Sequence, residues 1–242
     1  MLEVTVVPTR TVRVLCAAAI FASSVAATGL QAGSGPRAMP AALADDTMQQ
    51  FLAMPTDVPP YRAWRRLDAH NRGRAGWMEV STEFSPSAGF TYTVLAEGGS
   101  GIVRSRVLRA LLEGEREMIA RGETARSALA LTNYGFAVDG MDDEGFARVL
   151  LKPKRKDGML MTGAMMLRPE TGELVRLEGR LAKNPSFWVK NVDIVRSYQS
   201  VHGAVVPVKL NSTAQLRFLG AAVLSMSYRY LEINGHPVAE PE

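Results

Sequence analysis

Two long runs of alternating residues near the C-terminus constrain the fold of this chain more than any other feature. Over residues 206–218 the small or apolar side chains occupy every second position: Val206, Val208, Leu210, Ser212, Ala214, Leu216 and Phe218. After Gly220 a second run places on one face Ala222, Leu224, Met226, Tyr228 and Tyr230. Successive side chains of a strand point to opposite sides of a sheet, so each run predicts a strand with one buried face. Two such strands joined at a glycine predict an antiparallel hairpin.

Shorter alternating segments occur through much of the chain before this hairpin. They cover residues 77–84, 90–96, 133–139, 146–152, 159–168, 175–181 and 187–198. Turn sequences rich in Gly, Pro and Asp separate them, and the links are short enough for hairpins. The sequence therefore predicts about nine or ten strands. The expected fold is mainly β (α+β), a curled, unclosed antiparallel β-barrel-like sheet with one main helix packed on its concave face or mouth.

The main helix is expected over residues 102–121, between Ser100 as N-cap and Gly122 as C-terminal stop. Its apolar positions recur at helical spacing, and they predict packing through Val103, Val107, Leu111 and Met118. A short helix is also expected over residues 48–54. Residues 61–71 fit a strand or a helix, and their arginines are expected to form a solvated rim.

The N-terminus predicts export from the cytoplasm. Arg10 and Arg13 precede an uncharged apolar run over residues 14–27, which has the length of a signal-peptide core. A run left uncleaved would instead be a membrane-anchored helix. The only cysteine, Cys16, lies within this run and is interpreted as part of the signal. The expected domains are a signal peptide with a flexible leader at 1–44 and a single β domain at 45–242, located in the periplasm.

Charge gives no indication of a nucleic-acid partner. The chain has 28 Lys and Arg against 24 Asp and Glu, and residues 1–44 hold three of the bases and one of the acids. The remaining 25 bases and 23 acids leave a charge of about +2, which is too small for a nucleic-acid-binding footprint. About 200 residues are enough for one domain with a sizeable core.

Three motifs resemble functional sites but fit structural roles better. Residues 97–101 (EGGSG) precede the helix, where backbone N–H groups could hold a phosphate, but they lack the Lys-Ser/Thr of a P-loop. Residues 139–145 are acidic, yet Met141 occupies the third position of a would-be calcium loop. The three histidines show no metal-ligand spacing. Because no nucleophile–base pair or paired carboxylates stand out, we expect no enzyme activity, no cofactor and no metal.

The C-terminal half has a pattern that resembles a known family. A strand ends in residues 168–172 (RPETG), residues 174–179 (LVRLEG) and an FWV strand follow, and the pattern continues through Tyr198, Gly203 and Pro207 to Tyr228-x-Tyr230. This resembles the LolA/LolB-like carriers that sort lipoproteins to the outer membrane. The stretch from residue 97 is also similar to uncharacterised exported bacterial proteins. The resemblance implies an open, curled sheet with helices over an apolar cavity, lipid or lipoprotein acyl chains as ligands, and no catalytic residue.

Methionine is concentrated where such a cavity would lie. Met159, Met161, Met165 and Met166 fall within eight residues, and methionine adapts to variable apolar ligands. The candidate ligand-binding residues are Tyr92, Met159, Met161, Met165, Trp188, Leu224, Met226 and Tyr228. The first hypothesis is a periplasmic carrier of lipid or another apolar ligand, with peripheral membrane contact. The alternative is an envelope protein-interaction or sensing module whose core is filled. An open apolar cavity of several hundred Å³ would favour the first.

Overall fold

The alternating segments form one antiparallel sheet in the computed structural model, which describes residues 36–217 and 220–239. The strands are β1 Tyr61–Asn71, β2 Arg74–Ser85, β3 Gly89–Gly99, β4 Tyr134–Met141, β5 Ala147–Pro153, β6 Met161–Leu167, β7 Leu174–Leu181, β8 Val189–Val201, β9 Ala204–Leu216, β10 Gly220–Ile233 and β11 His236–Pro237. Their order is β3-β2-β1-β10-β9-β8-β7-β6-β5-β4, with β11 paired to β10. The sheet is curled and unclosed, so the predicted fold class is confirmed.

The hairpin that dominates the sequence lies at the centre of the sheet. Strands β9 and β10 pair from Leu216↔Gly220 to Lys209↔Ser227. β10 then pairs with β1 along almost its whole length, which brings the first strand beside the last long one. Residues 61–71, which fitted a strand or a helix, are therefore a strand. Its burial alternates strictly, with Tyr61, Ala63, Arg65, Leu67 and Ala69 all facing inward.

The main helix covers residues 101–120 and is not a regular α-helix. It consists of α2 Gly101–Val103, a π-helical segment Arg104–Arg109 and α3 Ala110–Ala120. Gly122 ends it with φ of 64°, as the sequence predicted. Ser100 is the N-cap residue, although its side chain makes no capping hydrogen bond. The helix contacts β1, β2 and β3, and Val103 lies 3.1 Å from where a side chain at Gly76 would begin.

The π-helical segment corrects one predicted contact of this helix. Val107 was expected to face the sheet, but it is 39% exposed, whereas Leu108 is fully buried. A π turn adds one residue to the helical repeat, so the inward position five residues after Val103 is Leu108. Leu111 and Met118 are buried as predicted, because α3 regains the regular spacing beyond the segment.

The N-terminal helix begins earlier than predicted. α1 spans Ala41–Ala53, whereas the expected helix covered residues 48–54. Alanine has the highest helix propensity, so the Ala-rich stretch that was interpreted as flexible leader forms the first turn. The expected domain boundary at residue 44 therefore lies inside α1. Just before it, Arg37 and Met141 exchange two backbone hydrogen bonds of 2.9 and 2.7 Å. The predicted signal run and Cys16 lie outside the described residues.

Helix α1 packs at the β4 side of the sheet. The hydroxyl of Thr47 is fully buried and donates to the carbonyl of Pro169 at 2.8 Å. The rings of Phe51 and Phe136 meet edge to face, with centroids 5.9 Å apart. Gly172, at the β6–β7 turn, approaches so closely that a Cβ there would lie 2.5 Å from the backbone nitrogen of Phe51. The helix and this turn are thus held in close contact.

Candidate functional site

A buried ion pair joins the sheet to the main helix. β1 directs Arg65 to the concave side, where it is 3% exposed. Its guanidinium donates two hydrogen bonds to the Glu115 carboxylate, at 2.6 and 3.0 Å, and a third to the hydroxyl of Tyr61. Paired hydrogen bonds of this kind fix the relative orientation of the two groups.

Aromatic rings surround the Arg65 guanidinium. Its central carbon lies 4.8 Å from the ring centre of Tyr228 and 5.0 Å from that of Phe90. The Tyr61 ring is 5.7 Å away and meets the Tyr230 ring edge to face. Cation–π contacts of this type are strongest where water is excluded. The rings and the carboxylate together hold the guanidinium in one place.

A second buried arginine lies on the same concave face. On β8, Val192, Ile194 and Arg196 point inward at every second position. Arg196 is 7% exposed, and its guanidinium carbon lies 5.3 Å from the Tyr198 ring centre. We call the set around the two arginines the polar belt, and it comprises Tyr61, Arg65, Glu115, Arg196, Tyr198, Tyr228 and Tyr230.

The polar belt keeps its arginines charged and its buried tyrosines neutral. Burial acts most strongly on the pKa of Arg65 and by itself would lower it, but Glu115 and the neighbouring tyrosines raise it well above its usual value. The pKa of Arg196 is also raised, against the effect of burial. Burial raises the pKa values of Tyr61, Tyr198 and Tyr230, since an ionised phenol would be poorly solvated there.

Apolar clusters lie on both sides of the polar belt. The main apolar cluster fills the space between sheet and main helix, and its members include Leu67, Leu108, Leu111, Met161, Met165 and Met226. The second apolar cluster contains Tyr61, Ala63, Val206, Tyr230 and Ile233. Along β1 the inward side chains pass from Ala63 through Arg65 to Leu67, so Arg65 lies between the two clusters, while Tyr61 and Tyr230 of the belt belong to the second.

The structure brings most of the predicted ligand-binding residues together. Met161, Met165 and Met226 belong to the main apolar cluster, and Tyr92, Leu224 and Tyr228 pack against it. The Tyr92 hydroxyl donates to Glu113 of the main helix at 2.6 Å. Burial, followed by this hydrogen bond, raises the pKa of Tyr92 to about 12.

Two predicted ligand-binding residues lie away from this group. Met159 is buried in the turn before β6, outside the strand that was expected to carry it. Trp188 lies in the turn before β8, is 42% exposed and packs edge to face against Phe187. The alternation that suggested an inward Trp188 begins only at Val189, where β8 starts.

The arginines and the glutamate of the belt were not predicted from the sequence. The arginines of residues 61–71 were predicted to form a solvated rim. For Arg65 this prediction is wrong, because its side chain is buried. The other two arginines of β1 differ, since Arg62 is exposed and Arg66 is half-buried. The strand alternation did indicate a buried Arg65, because Arg65 lies an even number of residues from Tyr61 and Leu67 and therefore shares their face of β1. No comparable signal in the sequence distinguishes Glu115 from the other helix glutamates.

The motifs at residues 97–101 and 139–145 have structural roles. Glu97 forms ion pairs with Arg104 and Arg109 of the main helix. A Cβ at Gly99 would lie 2.4 Å from the carbonyl oxygen of Ala75, so this position has no room for a side chain. Asp142 accepts hydrogen bonds from the backbone of its own turn. Within residues 36–217 and 220–239, no group of three or more His, Cys, Asp or Glu could hold a metal.

An open groove lies apart from the polar belt, between α1 and β4. Its volume is about 430 Å³. The lining is mainly apolar and consists of Ala41, Ala44, Asp45, Met48, Leu52, Leu131, Phe136 and Val138. A smaller groove of about 150 Å³ on the β1–β10 surface includes Tyr228. None of the eight predicted ligand-binding residues lines the larger groove. In the described part of the chain no helix is long and apolar enough to span a bilayer.

Comparisons with known proteins give two weak structural likenesses. No family model and no curated protein sequence matches the chain. A LolA superfamily protein from Nitrosomonas europaea is similar with a TM-score of 0.38 and 10% identity, over 77% of this chain and 91% of that one. A DUF1329 family protein from Desulfovibrio piger is similar with a TM-score of 0.35 and 9% identity, over 78% and 89%. At these TM-scores neither likeness bears on function.

Proposed function

We propose that this chain is a non-enzymatic periplasmic carrier that binds an apolar or amphiphilic ligand between its concave face and its main helix. One observation carries the proposal. Leu108 and Leu111 of the main helix belong to one apolar cluster with the inward side chains of the sheet, and methionines from β6 and β10 are part of it. Thioether side chains are flexible and polarisable, so they adapt to ligands of different shape better than Ile or Val.

The main helix is suited to act as a lid over this cluster. Side-chain contacts connect it to the sheet, chiefly Arg65–Glu115, Tyr92–Glu113 and the pairs of Glu97. It forms no part of the strand pairing, so it can move without breaking the sheet. In this structure the helix lies against β1, β2 and β3, and ligand entry between them requires its displacement. A π-helical segment is a common feature of functional helices.

A filled-core interaction or sensing module is the second candidate. Tight packing favours it, because Met161 and Met226 are 2% exposed and Met165 is fully buried. The groove between α1 and β4 would then be the binding surface, with a protein of the cell envelope as partner. The two functions place the ligand on different residues, so a binding experiment distinguishes them.

The test begins with native mass spectrometry of the protein purified from the bacterial envelope, followed by extraction of bound lipid. Delipidated protein is then titrated with 1-hexadecanol by calorimetry. We compare Met161→Gln in the concave cluster with Met48→Gln in the groove, because the two variants make the same change in shape and polarity. Circular dichroism checks that each remains folded at the assay temperature.

The carrier proposal expects bound lipid in the wild type and weaker hexadecanol binding only in Met161→Gln. Loss of binding only in Met48→Gln would move the ligand to the groove and overturn the concave site. A wild type that carries no lipid and binds no hexadecanol would overturn the carrier function and leave the interaction module. Release of the protein by osmotic shock tests the periplasmic location.

A further inference from the structure

One end of the sheet is positively charged. Consecutive strands run antiparallel, so successive hairpin turns alternate between the two ends. Four turns share one end, which we call the basic end: residues 72–73, 154–160, 182–188 and 217–219. By sequence these turns contain six Lys and Arg and one acid, Asp157. The six cations are Arg72, Lys154, Arg155, Lys156, Lys183 and Arg217.

The opposite end of the sheet has the reverse charge. Its hairpin turns cover residues 86–88, 142–146, 168–173, 202–203 and 234–235. By sequence these turns contain five Asp and Glu and one Arg. Such a separation of charge orients a protein near a charged surface, with its positive end towards the negative charge. The basic end is therefore the part of the sheet that an anionic partner would meet first.

Two aromatic side chains of the basic end are exposed. Phe187 is 70% exposed and Trp188 is 42% exposed, and their rings pack edge to face with centroids 5.5 Å apart. Among the residues that the structure describes, no large hydrophobic side chain is more exposed than Phe187. Neither ring belongs to an apolar cluster of the core. Covering these rings with a partner would remove apolar surface from water, which is favourable.

Hydrogen bonds hold the aromatic turn against the neighbouring hairpin. The backbone N–H of Arg217 donates to the carbonyl of Trp188 at 2.9 Å, and its Nε donates to the carbonyl of Phe187 at 2.6 Å. The Arg217 guanidinium carbon also lies 4.6 Å from the Phe187 ring centre. On the other side of this hairpin, the Asn71 side chain donates to the carbonyl of Ala221 at 3.0 Å. The aromatic pair and the adjacent cations thus keep a defined arrangement.

Arg72 places a cation at a position that disfavours arginine. The two-residue β1–β2 turn has positive φ at both central residues, 36° at Arg72 and 78° at Gly73. Asparagine and aspartate adopt this conformation more readily than arginine, but neither supplies a positive charge. Backbone strain of this kind is common at functional sites. The turn therefore presents a positive charge at a conformational cost.

We propose that the basic end docks on the surface of a bilayer that contains anionic lipids, with Phe187 and Trp188 inserted among the head groups. Tryptophan is enriched in this interfacial layer, and each Lys or Arg near an anionic surface adds attraction. An acidic protein or a nucleic acid would attract the cations without giving the rings an apolar layer, so the combination favours a membrane. The surface lies outside the concave face and does not depend on the proposed ligand.

Flotation with vesicles tests the docking. The protein purified from the bacterial envelope is mixed with vesicles of phosphatidylcholine, either pure or mixed equally with phosphatidylglycerol. Mass spectrometry confirms that every variant has the wild-type N-terminus. We expect the wild type to bind the mixed vesicles at least about tenfold more tightly than the neutral ones, since each cation near an anionic surface contributes about fivefold. The difference should shrink as salt is added.

Two tryptophan variants test where the protein touches the vesicle. Trp188→Ala should weaken binding about tenfold, because a large side chain loses its place in the interface. Trp64→Ala is the matched control and should change binding little. Trp64 is also 42% exposed, but it lies on β1 seven residues before Asn71, about 23 Å from the basic end. Phe187→Ser should weaken binding as well, and circular dichroism checks that each variant is folded.

Two double variants test the charge of the basic end. Lys156→Gln/Lys183→Gln removes two of its cations and should weaken binding to mixed vesicles by about fivefold per lysine. Arg62→Gln/Arg168→Gln changes the net charge equally at the opposite end, where β1 begins and β6 turns into β7, and should have little effect. Hexadecanol binding should be unchanged in Lys156→Gln/Lys183→Gln, because neither lysine belongs to the concave cluster.

The outcomes separate this inference from the carrier function. A wild type that does not bind the mixed vesicles would overturn the docking surface, whatever its affinity for hexadecanol. Equal losses in the two tryptophan variants, or in the two double variants, would overturn the basic end as the contact. Binding to soluble polyglutamate without binding to vesicles would indicate an acidic protein partner and overturn the membrane. The expected pattern in a protein that binds no hexadecanol would support the docking surface and overturn only the carrier.

Discussion

The Arg65 guanidinium and the Glu115 carboxylate, fifty residues apart in the chain, join the first strand to the main helix through hydrogen bonds of 2.6 and 3.0 Å. The Arg65 side chain is 2% exposed and that of Glu115 14%. Removing one partner of such a pair leaves the other charge buried, whereas replacing both by apolar groups restores packing. The pair therefore fixes the orientation of the main helix on β1 more than it adds to the free energy of unfolding.

Replacing Arg65 alone should be strongly destabilising. We expect Arg65→Met to lower the free energy of unfolding by about 3–5 kcal/mol, and the double variant Arg65→Met/Glu115→Leu to recover much of it. Arg62→Met is the control, because the Arg62–Glu232 pair is exposed and should contribute less than about 1 kcal/mol. Urea unfolding measures all three. Equal losses for Arg65→Met and Arg62→Met would contradict the assignment of a buried pair.

Adjacent residues of the π-helical segment should respond very differently to truncation. Leu108→Ala should cost about 2–5 kcal/mol, because Leu108 is fully buried in the main apolar cluster. Val107→Ala should cost less than about 1 kcal/mol, since Val107 is 39% exposed. Thermal unfolding of the two variants gives the comparison. A regular α-helical register would reverse the order.

Gly163 should tolerate no side chain. A Cβ there would lie 2.0 Å from the carbonyl oxygen of Glu178, across the β6–β7 pairing. Gly163→Ala should therefore cost about 3 kcal/mol or prevent folding, because backbone must move to admit the methyl group. Gly135→Ala is the matched strand control, since its Cβ would lie 3.9 Å from the carbonyl oxygen of Lys152. Similar stability of both variants would show that β6 and β7 lie further apart.

Stability should fall at alkaline pH because of buried phenols. Tyr134 is 1% exposed and accepts a hydrogen bond from the Met161 N–H, and burial raises its pKa from 10.0 to about 12. Between these values the unfolded chain loses this proton and the folded protein keeps it. The contribution is complete below pH 10 and is lost as the pH rises towards 12, on the order of 2 kcal/mol. Urea unfolding from pH 8 upward should show a shallower decline in Tyr134→Phe, and parallel profiles would refute the effect.

Residues 36–44 should stabilise the fold. A chain that begins at Asp45 lacks the two Arg37–Met141 backbone hydrogen bonds and the first turn of α1. Compared with a chain that begins at Pro36, it should lose about 1–3 kcal/mol, at about 1 kcal/mol per hydrogen bond plus packing. Chemical unfolding of both chains decides the matter. Identical unfolding midpoints would show that residues 36–44 add no stability, and the domain boundary would then lie at residue 44, as the sequence predicted.

The sequence predicted the sheet well because strand alternation is a direct consequence of burying one face. The runs that became β9 and β10 were long enough to leave no other interpretation. Val107 was misplaced because a π turn changes the helical repeat without a mark in the local sequence. The start of α1 was missed because the Ala-rich composition of residues 41–44 fits both a flexible leader and a helix.

The candidate site was harder to predict than the fold. Met161, Met165 and Met226 were found because apolar residues at alternate positions indicate a buried face. Arg65 and Arg196 have the same alternation, but arginine is rarely buried, so residue type outweighed position. The pairing of Glu115 arises only because the helix packs on a strand fifty residues earlier in the chain, and no local sequence pattern predicts that contact.

The extra residue of the π-helical segment determines the angular phase between the two ends of the main helix. Upstream, Val103 is fixed against Gly76, and downstream Glu115 must meet Arg65. Each residue of an α-helix advances the side-chain direction by about 100°. If Arg104–Arg109 wound as regular α-helix without losing a residue, Glu115 would turn by about that angle relative to Val103, out of reach of Arg65. The wider π turn thus absorbs the extra residue and keeps the two ends of the helix in phase.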